Sequence, residues 1–82
     1  DWDGSKIKKI REYKNFSIEK ISEITRISSY YVNAVEQMDP ANLPAQVFVR
    51  GYVSQICKVL GLEEKRVCDS YMKNFRNRIG KN

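Results

Sequence analysis

Apolar residues recur along this chain at intervals of three and four, with no stretch of strict alternation, so the pattern predicts helices throughout. Five segments emerge. The first runs from about Gly4 to Lys14, with Asp3 as its cap and Ile7 and Ile10 at helical spacing; Asn15 stands where a left-handed stop is wanted. Ser17 caps a second helix with Glu19 in its first turn, and Ile21 and Ile24 are expected to face inward. Thr25-Arg26-Ile27 breaks the pattern. Ser28 or Ser29 then caps a third helix that carries Tyr31, Val32 and Val35 and extends to about Met38. Two short helices joined by a three- to four-residue turn form a helix-turn-helix. After a loop at Asp39–Leu43, Pro44 is expected in the first turn of a fourth helix that reaches Leu60 and stops at Gly61. Glu63 or Glu64 opens the fifth, whose stripe is Val67, Cys68, Tyr71, Met72 and Phe75. The residues after Asn74 are expected to fray into solvent.

The fourth helix carries more apolar surface than the edge of a small bundle requires. Projection on a helical wheel puts Val49, Val53, Ile56, Cys57 and Leu60 on one side as core. Phe48, Tyr52 and Val59 form a second stripe with Gln55 among them, and Arg50, Ser54 and Lys58 occupy the solvated remainder. Two readings of the second stripe are open: packing beneath the third or fifth helix, or a patch that anchors a protein partner. Gly51, a poor helix former, suggests that another backbone comes close there, from within the domain or across an interface.

With 82 residues the chain is read as one domain, ordered over about 4–77 with a basic tail at 78–82, and hides about 60–65% of its unfolded surface. It opens on Asp1 without an initiator Met, and an excised piece of a longer protein is expected. No apolar run approaches the ~18 residues of a membrane span, so no membrane contact is expected from this segment. A net charge of +5 admits nucleic acid, an anionic surface or an acidic protein as partner. Cations crowd the first helix (Lys6, Lys8, Lys9, Arg11, Lys14) and the chain end (Lys73, Arg76, Arg78, Lys81).

Catalytic chemistry finds no foothold. Histidine is absent, no glycine-rich phosphate loop occurs, and the acidic residues are read as scattered over exposed faces. Two cysteines without histidine do not make a zinc site, so no metal or other cofactor is expected; Cys57 and Cys68 are read as core thiols, with a disulfide open only if the two helices bring those positions together. A DNA reader of this architecture places its third helix in the major groove. Here the segment Ser28–Gln37 contains neither Lys nor Arg. The alternative DNA-contacting set is Ser28, Ser29, Tyr30 and Asn33 toward bases, with Arg26 in the turn and Lys9 on phosphate. Weak, salt-sensitive, non-specific duplex binding is the form this would take.

Gly4-x-x-Ile7-x-x-Ile10-Arg11-Glu12, Phe16-Ser17-x-Glu19-x-Ile21, Thr25-Arg26-Ile27, Tyr31-Val32-x-Ala34-Val35-Glu36, Leu43-Pro44, Phe48-Val49-Arg50-Gly51-Tyr52 and Leu60-Gly61-Leu62 together resemble the RodZ-type helix-turn-helix. The resemblance spans about Gly4 to Phe75 and implies an all-α, five-helix, lambda-repressor-like fold with no enzymatic activity. It further implies a monomeric cytoplasmic module, or the cytoplasmic part of a membrane-anchored protein, that binds a bacterial actin of the MreB kind through the fourth helix. Phe48, Tyr52, Gln55 and Val59 would then meet the partner. Similar domains end some bacterial DnaJ-domain proteins, where the partner would be a chaperone-associated protein. The sequence departs from DNA-reading relatives at Arg26, where these often have Gly, and at Ile18, where they often have Gln. Ile56-Cys57 stands where the RodZ pattern often has Tyr-Ala.

Overall fold

The computed structural model describes residues 1–80, and Lys81 lies outside them. Five α-helices and one 3-10 turn follow in order: α1 (Gly4–Tyr13), α2 (Ile18–Thr25), α3 (Ser29–Gln37), the turn Pro40–Asn42, α4 (Gln46–Leu60) and α5 (Glu64–Ile79). No strand occurs among the described residues. The fold is all-α, as the periodicity requires.

Local chemistry sets most boundaries. The Asp3, Ser17 and Ser28 side chains accept from the Lys6, Lys20 and Tyr31 amides, satisfying helix-start donors that would otherwise lack partners. Asn15, Arg26, Met38 and Gly61 all adopt positive φ at or beside helix ends. At Arg26 the left-handed step turns α2 into α3, and the extra strain of a non-glycine residue there is tolerated within a tight corner. Pro44 falls outside the fourth helix, contrary to expectation. It holds Leu43 in extended backbone, so that α4 begins two residues later at Gln46. Pro40 instead takes the start of the 3-10 turn, where a missing N–H is harmless.

The core is a single cluster drawn from every helix, with Ile7, Ile21, Val32, Val35, Val49, Val53, Leu60, Tyr71 and Phe75 at its centre. The expected α5 stripe is buried throughout. Ile24 departs from expectation and is half exposed. The inward side of α2 follows Ile18, Ile21, Ser22 and Thr25, which leaves Ile24 on the flank. Helix α5 also continues to Ile79 instead of fraying after Asn74, with Ile79 partly buried against the core. Trp2 ties the chain start to this helix. Its amide donates to Ser70 Oγ (2.7 Å), its carbonyl accepts from Asn74 Nδ2 (2.7 Å), and Lys6 Nζ lies 4.5 Å from its ring centroid.

Two charged residues sit inside. Arg11 was expected among surface cations and Glu36 among surface acids, yet both are buried. Arg11 Nε donates to Glu36 Oε2 at 2.6 Å and Nη2 to Oε1 at 3.1 Å, a bidentate pair between α1 and α3. Arg11 Nη1 also donates to the Phe16 carbonyl (2.7 Å), pinning the α1–α2 corner. Hydrogen bonding to Glu36 raises the guanidinium pKa above its ordinary value, against the opposing effect of burial. Gly4 packs so tightly on the end of α3 that a Cβ there would overlap the Glu36 carbonyl oxygen. Removing one member of a buried pair leaves the other charge uncompensated, typically at about 3–5 kcal/mol. Urea unfolding of Glu36→Ala is expected to show a loss of that order, and Arg11→Met combined with Glu36→Leu a smaller one.

Cys57 on α4 and Cys68 on α5 are free, buried thiols, and Cys68 Sγ lies 3.9 Å from the Arg50 carbonyl oxygen. Burial pushes the Cys57 thiol up to about 12 and raises that of Cys68. Burial likewise raises the Tyr71 phenol, whose hydroxyl donates to the Val35 carbonyl at 2.7 Å. Above about pH 9 the unfolded thiols ionise while the folded ones stay protonated. The native state then binds more protons than the unfolded state, and stability falls as pH rises. Thermal melts are expected to be flat from pH 7 to 8 and to move down from pH 9 toward 11, with a shallower decline in Cys57→Ala.

Candidate functional site

Helix α4 divides its two apolar stripes between inside and outside. Val49, Val53, Ile56, Cys57 and Leu60 are buried, as the wheel predicts. The solvated edge is tied to α5: Arg50 Nη2 donates to Asp69 Oδ1 (2.7 Å) while Lys65 Nζ holds Oδ2 (2.9 Å), and Ser54 Oγ donates to Glu64 Oε1 (2.6 Å). Hydrogen bonds from Lys65 and Arg50 keep the Asp69 carboxyl below its ordinary pKa, so the link is ionic at neutral pH.

The second stripe is mixed. Phe48 is 58% exposed and Val47 74%. Tyr52 and Val59 are half buried and pack against the core, while Gln55 is exposed. The Tyr52 ring stacks on Tyr31 of α3 (centroids 5.5 Å apart, planes 25° apart), and Tyr30 meets Tyr31 edge-on (5.7 Å, 62°). The Tyr30 hydroxyl donates to Asn42 Oδ1, and Asn42 Nδ2 donates to Asp39 Oδ2, whose carboxylate also accepts from the Ala41 amide. A row of aromatic rings therefore runs from the 3-10 turn across α3 to α4, each pair adding about 0.5–1.5 kcal/mol beyond area burial. Packing beneath α3 thus accounts for Tyr52 but not for Phe48.

Gly51 does not serve a close approach inside the domain. A Cβ there would meet nothing within 4 Å. Val47, absent from the expected contact set, is the most exposed large aliphatic side chain described. Its signal was its position one helical turn before Gly51, on the outer side of α4, with no apolar neighbour in sequence pattern to bury it.

The alternative DNA set is scattered in its commitments. Lys9, Arg26, Ser28, Ser29, Tyr30 and Asn33 are all exposed. Ser28 Oγ is occupied in capping α3, and Tyr30 is directed by Asn42 into the aromatic row. Ser29 and Asn33, one turn apart on α3, remain open with Arg26 at the corner before them. Lys9 belongs to α1, on another helix. Arg11, which would have added positive charge, is inside and paired. Among the described residues no group of three or more His, Cys, Asp or Glu side chains is placed to hold a metal ion, and no helix is long and apolar enough to cross a membrane.

A family model described as a helix-turn-helix domain matches residues 6–67, from α1 into the first turn of α5. No curated protein and no solved structure matches the chain.

Phe48 and Tyr52 differ in what they do for the fold. Phe48→Ala is expected to leave the urea midpoint within about 0.5 kcal/mol of the parent, as surface substitutions do. Tyr52→Ala, which breaks the stack on Tyr31, is expected to lose about 1–2 kcal/mol. Equal losses in the two variants would mean that Phe48 is held by the domain after all.

Proposed function

The chain belongs to the helix-turn-helix domain family, and from that premise we propose that it acts as a non-enzymatic protein-docking module of RodZ type, holding a bacterial actin of the MreB kind against the outer side of α4. The observation that carries this reading is the exposure of Phe48 beside Val47 on a helix whose inner side already fills the core. Large aromatics anchor protein interfaces when a rigid surround fixes them and excludes water. The stacked Tyr31–Tyr52 pair supplies that surround, with Gln55 and Val59 at its margin. The reading puts the domain in the cytoplasm as a monomer, either as part of a membrane-anchored protein or, in a DnaJ-linked chain, facing a chaperone-associated partner through the same surface.

Duplex DNA is the second reading, favoured by the family itself and by the open side chains of Ser29, Asn33 and Arg26. It is weakened by the chemistry of α3, whose exposed positions carry no cation. Phosphate contacts by Lys or Arg dominate duplex affinity, and their absence from the reading helix leaves only the cations on neighbouring helices.

Fluorescence anisotropy with purified bacterial actin separates the two. Phe48→Ala is expected to weaken binding by about 2 kcal/mol, roughly thirtyfold in Kd, with the fold intact. Labelled duplexes of defined and random sequence are expected to bind alike and to lose affinity steeply with salt. Sequence-preferring duplex binding that is lost in Asn33→Ala, with actin capture indifferent to Phe48, would reverse the assignment.

A further inference from the structure

The outer side of α4 also specifies what kind of element covers it. Val47, Gly51 and Gln55 stand one turn apart along an exposed ridge, with Phe48 beside them and exposed Lys58 one turn further on. Gly51 lies mid-helix, where glycine is the poorest helix former after proline, and nothing inside the domain occupies the space above it. A glycine at such a point admits a partner backbone nearer the helix axis than any side chain would. Flanking Val47 and Phe48 provide the apolar grip, so the face suits a crossing helix better than a flat surface.

Charge narrows the choice further. Helix α4 contains no acidic residue. Arg50 is committed to Asp69, whereas Lys58 takes part in no ion pair among the described residues. The helix start has neither a side-chain cap nor a carboxylate in its first turn, so the positive end of its dipole is uncompensated beside Val47. A second copy of this chain, at +5 and with the same cationic edges, is a poor match to this face.

We propose that the partner presents an amphipathic helix with acidic flanks, its apolar side seated on Val47, Gly51 and Phe48 and its carboxylates directed to Lys58 and to the start of α4. This rests on the docking role of α4 proposed above. The probes are two designed helical peptides with one shared Leu/Ala face and either Glu or Lys flanks, titrated into the isotope-labelled 82-residue chain. The Glu peptide is expected to shift the amides of Val47–Tyr52 and to bind roughly fivefold more tightly than the Lys peptide, an advantage that shrinks with added salt. Gly51→Ala is expected to raise the melting temperature of the domain, because the added methyl meets nothing, and yet to weaken the Glu peptide about tenfold. Equal binding of both peptides, no amide shift on α4, or unchanged affinity in Gly51→Ala would each overturn the proposal. So would concentration-dependent self-association lost in Phe48→Ala, which would make a second copy the occupant. Phe48-dependent capture of bacterial actin is read separately, so the docking role can survive the loss of this helix-specific form.

Discussion

The buried ion pair between Arg11 and Glu36 is the constraint around which the domain is arranged. A guanidinium and a carboxylate can be taken out of water only when their geometry is nearly ideal and their remaining donors are used. Here two hydrogen bonds join the pair and a third runs from Arg11 to the Phe16 carbonyl. Helix α1, the α1–α2 corner and the end of α3 are fixed together by one side chain. Gly4 meets the Glu36 carbonyl from the same helix, and Tyr71 reaches the neighbouring Val35 carbonyl from α5. The backbone at Val35–Glu36 is thus where the two ends of the chain converge on α3.

That arrangement divides labour between α3 and α4. Helix α3 is used as scaffold: Val32, Ala34, Val35 and Glu36 face inward, Ser28 caps it, and Tyr30 and Tyr31 extend sideways toward α4. Ser29, Asn33 and Gln37 are what remains on its outer side, without a cation to hold phosphate. Helix α4 has the opposite economy. Its inner stripe closes the core, its Arg50 edge is tied to α5, and its outer ridge keeps apolar side chains and an unused glycine in the open. Exposed large hydrophobics occur singly on α1, α2 and α3, at Tyr13, Ile24 and Tyr30, whereas on α4 two of them, Val47 and Phe48, are adjacent.

Much of this was legible in the residues. Ser17, Ser28 and Gly61 mark helix ends because capping depends on chemistry within a few positions of the chain. The inner stripe of α4 and the stripe of α5 follow from periodicity alone. Interactions between distant residues were not legible. Arg11 and Glu36 resemble ordinary surface charges until the fold brings α1 against α3, and a wheel projection has no means of pairing them. Tyr30 looks free to read a base until Asn42, twelve residues on, takes its hydroxyl. Ile24 has helical spacing from Ile21, but the short α2 turns its inward side through Ser22 and Thr25 instead. Gly51 pointed to a close approach, and only the structure removes the approach from inside the domain. The second stripe of α4 does not keep to one environment: Phe48 and Gln55 are exposed together with Val47, which the wheel did not group with them, while Tyr52 is partly buried and stacks on Tyr31.

Backbone hydrogen exchange of the domain with and without purified bacterial actin tests the division between α3 and α4 most directly. Binding is expected to slow exchange of the amides at the start and middle of α4, from Val47 to Gln55, and to leave Ser29 to Asn33 unchanged. Protection confined to the α3 segment, with α4 exchanging as in the free domain, would contradict the account.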